Sequence, residues 1–174
     1  MTVDHPALTI DDINAMSLAE FVAELGGIYE HSSWVAEQAF DALPIAGMQE
    51  LADVMADVVA NSSLQQQQAL VNAHPELGST KFESLTESSR QEQQGAGFNE
   101  ADNATLGRFK ALNQEYRERH GFPFIIAVAG LNASTILKAL EQRLPRTSEE
   151  EFSAALDQID RIALHRLEQR IAQG

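Results

Sequence analysis

Apolar residues return at helical spacing along nearly the whole chain, and only one stretch, FPFIIAVAG at residues 122–130, reads as a strand. A lone strand cannot build a sheet. Its backbone donors and acceptors need a second strand, and no other strand-like run supplies one. This feature argues against α/β and all-β architectures and leaves an all-α fold, in which 122–130 is an extended segment or an irregular helix start packed inside. About eight helices are expected, in a single domain over residues 1–174, with no internal repeat.

Turn and cap residues place those helices. Ser17 and Glu20 form an S-x-x-E capping box ahead of Leu18, Phe21, Val22 and Leu25, and Gly26-Gly27 stops that helix. A second helix runs from about Ser33 through Trp34, Val35 and Phe40 to Pro44. A third carries Met48, Leu51, Met55, Val58 and Val59 on one face until Asn61-Ser62-Ser63 breaks it. The fourth covers Leu64 to Ala73, and its QQQQ run reads as a solvated face. Pro75 ends it, because the residue before a proline is pushed away from helical dihedrals, so His74 sits at a helix C-terminus. The fifth helix is expected to start near Ser88 or Ser89, three residues before Gln91 and Glu92, and to fray at Gly95-Ala96-Gly97. The sixth takes Leu106, Phe109, Leu112 and Tyr116 to a cap at Gly121. The seventh carries Ile136, Leu137, Leu140 and Leu144 and ends at Pro145, and the eighth opens with a box from Ser148 to Glu151. Trp34 and the four methionines are assigned to the core.

Composition narrows the chemistry. The 174 residues contain no cysteine, which excludes disulfide frameworks, thiolate nucleophiles and cysteine-ligated metal sites. No run approaches the roughly 18 to 20 apolar residues of a membrane-spanning helix, so the chain is expected to be soluble. The net charge is −14, and every Lys and Arg lies from Lys81 onward. An N-terminus without bases makes neither a secretory signal nor a transit peptide, and a cytoplasmic location is expected. The same charge argues against nucleic acid and anionic membranes as partners. An anionic ligand would need one of the few bases placed locally.

Three residues break the helical pattern. At about 100° per residue, Phe152, Leu156, Ile159 and Ala163 share a stripe of the eighth helix, and Arg166 falls inside it while Arg161 lies opposite. Arg166 therefore either snorkels or pairs with a buried acid, or presents a guanidinium to an oxyanion or a carbonyl. His74 either caps carbonyls at its helix end or acts as an acid/base. Glu92 is either an ordinary exposed helical acid or a ligand-facing carboxylate, since it shares a face with Ser88, Ser89, Gly95 and Ala96, small groups that leave room for a ligand. His5, His31, His120 and His165 have no partner at metal-ligand spacing, so no metal is expected, and phosphate-loop, dinucleotide and serine-hydrolase motifs are absent.

AHPELG at 73–78, SRQEQQGAGF at 89–98, FKALNQEYRERHGFPFIIAV at 109–128 and IALHRL at 162–167 together resemble the 2-oxo-4-hydroxy-4-carboxy-5-ureidoimidazoline (OHCU) decarboxylase family, from about Leu18 to Leu167. The resemblance implies an all-helical homodimer that uses no cofactor and releases carbon dioxide from an unstable product of urate oxidation to give (S)-allantoin. It also assigns roles. His74, Glu92 and Arg166 match catalytic positions. Pro75, Ser89, Arg90, Gln91, Glu92, Gln93 and the segment Phe124, Ile125, Ile126, Ala127 and Val128 match substrate-binding ones. HPEL replaces the family's usual HPDL, His120 replaces a phenylalanine or similar residue, and AGF replaces AGL; none falls on a catalytic position.

The chemistry agrees with the anomalies. A ring that delocalises the electron pair left by departing carbon dioxide needs no cofactor as a sink. It needs charge stabilisation and a proton delivered to one face. His74 is then the general acid/base, Glu92 orients it and binds ureido or hydroxyl groups, Arg166 meets the anionic substrate, and the backbone of 124–128 reads the ring edges, all around one cavity. Two alternatives remain: a non-catalytic helical interaction module with Arg166 in a structural ion pair, and a related ureide hydrolase or isomerase.

Overall fold

The computed structural model describes residues 6–78, 85–98 and 101–172. Among them are nine α-helices: α1 (Ile10–Asn14), α2 (Leu18–Leu25), α3 (Trp34–Ala39, continued by a 3-10 turn Phe40–Ala42), α4 (Met48–Ala60), α5 (Leu64–Ala73), α6 (Glu87–Gly95), α7 (Asn103–His120), α8 (Ala133–Arg143) and α9 (Ser148–Arg170). No strand occurs among the described residues beyond an isolated bridge between Leu8 and Ile171, so the all-α expectation holds. Residues 123–128 are neither helix nor strand, as the lone apolar run requires.

Three expectations are corrected. The helix α1 was not anticipated; Thr9 and Asp12 close a capping box there that the sequence reading overlooked. The helix α6 is capped by Thr86, whose hydroxyl accepts from Ser89 N, and not by Ser88 or Ser89. The box opening α9 is Thr147 with Glu150, one residue before the expected Ser148 and Glu151. In the core, Met55 is fully buried, but Trp34, Met16 and Met48 are only partly so, and Met1 lies outside the described residues.

The chain forms two compact units, residues 1–70 with 163–174, and residues 71–162. In the first, α2 and α4 pack on α3, burying Phe21, Leu25, Val35, Ala36, Leu51, Met55 and Val59. Phe21 and Phe40 meet edge to face at 5.6 Å between ring centroids, a favoured aromatic geometry. Asn14 ties the Pro44 to Gly47 connection, accepting from Ile45 N at 2.8 Å and donating to its carbonyl at 2.9 Å.

The second unit is built on α7, which packs against α8 and ends in left-handed Gly121 (φ 81°), where a glycine avoids the Cβ penalty. Phe109, Leu112 and Tyr116 are buried along it. Tyr116 meets Phe122 and Phe124 edge to face at 6.0 and 5.5 Å, and Phe122 meets Phe152 at 5.7 Å. These rings draw the extended segment onto α7.

Candidate active site

His74 follows the last residue of α5, its backbone N–H reaching back to Val71 O at 3.3 Å, and its side chain is buried. Three of the four residues after it, Glu76, Leu77 and Gly78, are held one by one. Glu76 pairs with Arg117 at 2.9 Å. The Leu77 carbonyl accepts from Asn113 Nδ2 at 2.8 Å. The Gly78 N–H donates to Gln93 Oε1 at 3.2 Å, which ties the loop to α6. Gly78 has φ +72°, and a Cβ there would meet Phe109 Cβ at 3.3 Å and Phe98 Cδ1 at 3.4 Å, so the loop closes onto α7 only with a glycine.

The acidic helix α6 places its matched residues on different faces. Ser89 and Gln93 are buried, Arg90 and Glu92 are partly buried, and Gln91 is exposed. Gln91 donates to Glu87 at 2.9 Å, one turn back along its own helix. With its oxygen committed to Gly78, Gln93 keeps a buried Nε2 that has no hydrogen-bond partner among the described residues. A buried donor left unmade costs roughly 1–3 kcal/mol, so it is a group with something to gain from a ligand.

In the extended segment Phe124, Ile125 and Val128 are buried, while Ile126 and Ala127 are partly so. Three of its backbone groups are already engaged: Ile125 O accepts from Arg143 Nη1 at 2.8 Å, Ala127 N donates to Gln158 Oε1 at 2.9 Å, and Val128 O accepts from Leu131 N at 2.9 Å. Arg143 lies over the Phe124 ring, 4.5 Å from its centroid, and its Nε donates to Glu151 Oε1 at 2.9 Å. Glu151 is fully buried and also accepts from Tyr116 OH at 2.7 Å. Burial first, and the Glu151 carboxylate second, push the Tyr116 hydroxyl far above its ordinary pKa, so it stays a neutral donor. His120, the family departure, is a buried bridge to Ser148 Oγ at 2.8 Å and Leu144 O at 3.0 Å.

Arg166 belongs to the other unit, with its guanidinium buried. It donates to Glu30 Oε2 at 2.8 Å and to the carbonyls of Ile28 at 3.3 Å and Gly27 at 3.4 Å. A buried acid partner, one of the two readings of that position, is therefore present. Arg161 is exposed. No group of three or more His, Asp or Glu able to hold a metal occurs among the described residues. Sequence reasoning did not single out Asn113, Arg143 or Glu30, and took Glu151 only as a helix-capping acid. Three of them carried a signal: Asn113 interrupts the apolar face of Phe109, Leu112 and Tyr116, Glu151 precedes Ala155 and Ile159 at four-residue spacing, and Glu30 lies beside Ile28 and Tyr29.

These features define a class, an all-helical protein whose polar chemistry gathers around a clamped histidine loop and a carboxylate-bearing helix. Residues 14–168 match the OHCU decarboxylase family model, and the chain belongs to that family. It is 38% identical over 165 residues to the 2-oxo-4-hydroxy-4-carboxy-5-ureidoimidazoline decarboxylase of Haloferax volcanii, covering 95% of this chain and 97% of that protein. It is 36% identical over 167 residues to the uric acid degradation bifunctional protein of Bacillus sp. (strain TB-90), covering 96% of this chain but only 33% of that longer protein. Among solved structures, an (S)-allantoin synthase superposes with a TM-score of 0.77 at 38% identity, over 95% of this chain and 54% of that one.

Proposed function

We propose that this chain is a carboxy-lyase that converts OHCU to (S)-allantoin in urate degradation, without a cofactor, as a cytoplasmic homodimer. The bond from the ring carbon to the carboxylate breaks, its electron pair forms a double bond to the ureido-bearing carbon, and the carbon–nitrogen π pair moves onto the ring nitrogen, which takes up a proton. A proton then returns to the ureido-bearing carbon, and the hydroxyl proton is lost as the neighbouring carbonyl forms. His74 is the general acid/base for this proton traffic, a task suited to imidazole, which changes charge near neutral pH. Glu92 orients it and binds ureido or hydroxyl groups. Ser89, Arg90, Gln91 and Gln93 contact substrate beside Pro75, with Gln93 Nε2 as the donor that gains most. The free backbone groups of Phe124, Ile125, Ile126, Ala127 and Val128 meet the ring edges, and Arg166 receives negative charge.

The observation that supports this reading best is the buried His74 in a loop where Glu76, Leu77 and Gly78 are each gripped. A mere helix cap needs no such fixation, whereas proton delivery to one face needs it. His74→Asn should keep the helical circular dichroism of the wild type, abolish the rate advantage over the uncatalysed reaction and yield racemic allantoin. Optical activity of product from freshly oxidised and hydrolysed urate is the measurement. Wild-type (S)-excess from the variant would remove His74 from the mechanism.

A further inference from the structure

The HPELG loop is held in part by a residue to which the family resemblance assigns no role, and the hold falls on one peptide group. The C=O of Leu77 and the N–H of Gly78 belong to the same amide. Asn113 Nδ2 grips the first at 2.8 Å, and Gln93 Oε1 grips the second at 3.2 Å. The partners fix which way both side-chain amides point: Leu77 O demands a donor and Gly78 N–H demands an acceptor. Each amide leaves its other end, Asn113 Oδ1 and Gln93 Nε2, buried with no hydrogen-bond partner among the described residues. Leaving a polar atom buried and unmade is unfavourable, so the grip itself must matter to the fold or to the site.

Asn113 stands between Leu112 and Tyr116 on the buried side of α7. A helix interior disfavours asparagine, and an apolar residue would fill the position without an orphaned oxygen. Three residues on, Tyr116 packs on Phe124 and donates to Glu151, which in turn receives Arg143, the donor to Ile125 O. Residues three apart share a helix face. One face of α7 therefore sets the His74 loop and braces the extended segment at the same time.

We infer that Asn113 is a positioning residue for the decarboxylation: by holding the Leu77–Gly78 peptide it fixes the aim of His74, three residues upstream. This rests on the reading of His74 as the acid/base. Asn113→Asp, nearly isosteric, places an oxygen against the Leu77 carbonyl, and Asn113→Leu removes the donor while keeping an apolar fill. Both variants are expected to lower kcat about 10- to 100-fold with KM within about three-fold, the range over which small misplacements act. Both should also displace the acidic midpoint of the kcat–pH profile and reduce the (S)-excess of the product. A lowered melting temperature with kcat, pH midpoint and (S)-excess all unchanged would overturn the inference and leave a structural hydrogen bond. His74→Asn in the same assay separates the two ideas. If it retains activity, the His74 reading fails; if it is dead while both Asn113 variants behave as wild type, only the positioning role fails. Wild-type backbone relaxation covers the case in which neither variant folds. Amides of 76–78 as rigid as those of α7, with order parameters near 0.85, support the clamp, and values below about 0.6 overturn it.

Discussion

At the residue scale the buried pair Arg166–Glu30 poses the sharpest question, because one guanidinium is asked both to hold a turn and to receive charge. Both side chains are almost wholly buried, and Arg166 also serves the carbonyls of Gly27 and Ile28. Removing one member of such a pair strands the other without water. Arg166→Met should therefore lower stability by about 3–5 kcal/mol, whereas Arg166→Met with Glu30→Leu should recover most of that loss. Urea denaturation of the two singles and the double measures the coupling. Activity then separates the roles. If Arg166 receives the substrate, the stable double variant stays inactive; a double variant with wild-type kcat/KM would reduce Arg166 to a structural ion pair. The sequence showed that a cation lies on an apolar stripe. It could not show Glu30, which is more than a hundred residues away along the chain and is brought close only by folding.

At the element scale, helix termini were legible as chemistry but not always in register. TSEEE offers two overlapping boxes, Thr147 with Glu150 and Ser148 with Glu151, and both satisfy the same local rule. Tertiary structure decides between them: Glu151 is taken into the interior by Tyr116 and Arg143, so Glu150 is the acid left to turn back onto Thr147 N. The span of α5, Leu64 to Ala73, and the glycine stop of α7 were placed from sequence alone. Four capping carboxylates, Asp12, Glu20, Asp102 and Glu150, have pKa values lowered first by backbone N–H donors at their own helix starts. A carboxylate more acidic in the folded than in the unfolded chain contributes stability that is complete above the unfolded value, near pH 4, and disappears as pH falls through the folded one. Melting temperature should hold steady from neutrality to about pH 5 and drop below about pH 4. Glu150→Gln with Glu20→Gln should flatten that acid limb relative to wild type. An equally steep limb in the double variant would assign acid unfolding to other carboxylates.

At the scale of the whole molecule, a net charge of −14 surrounds a site proposed to take an anion, with every Lys and Arg from residue 81 onward. Long-range and local fields then have opposite signs. The Debye length shrinks from about 30 Å at 0.01 M salt to about 8 Å at 0.15 M, so added salt erases repulsion from the distant acids first. A buried guanidinium such as Arg166 is screened far less, because little solvent reaches it. The expected result is a kcat/KM that rises several-fold between those ionic strengths, carried by KM while kcat stays constant. The control is a neutral osmolyte at matched osmolality, which should leave KM where it was. A kcat/KM that falls with salt would show that the few bases, and not the excess of acids, set the field the substrate meets. Composition alone would then have pointed to the wrong sign, since it counts charges without their distances from the site.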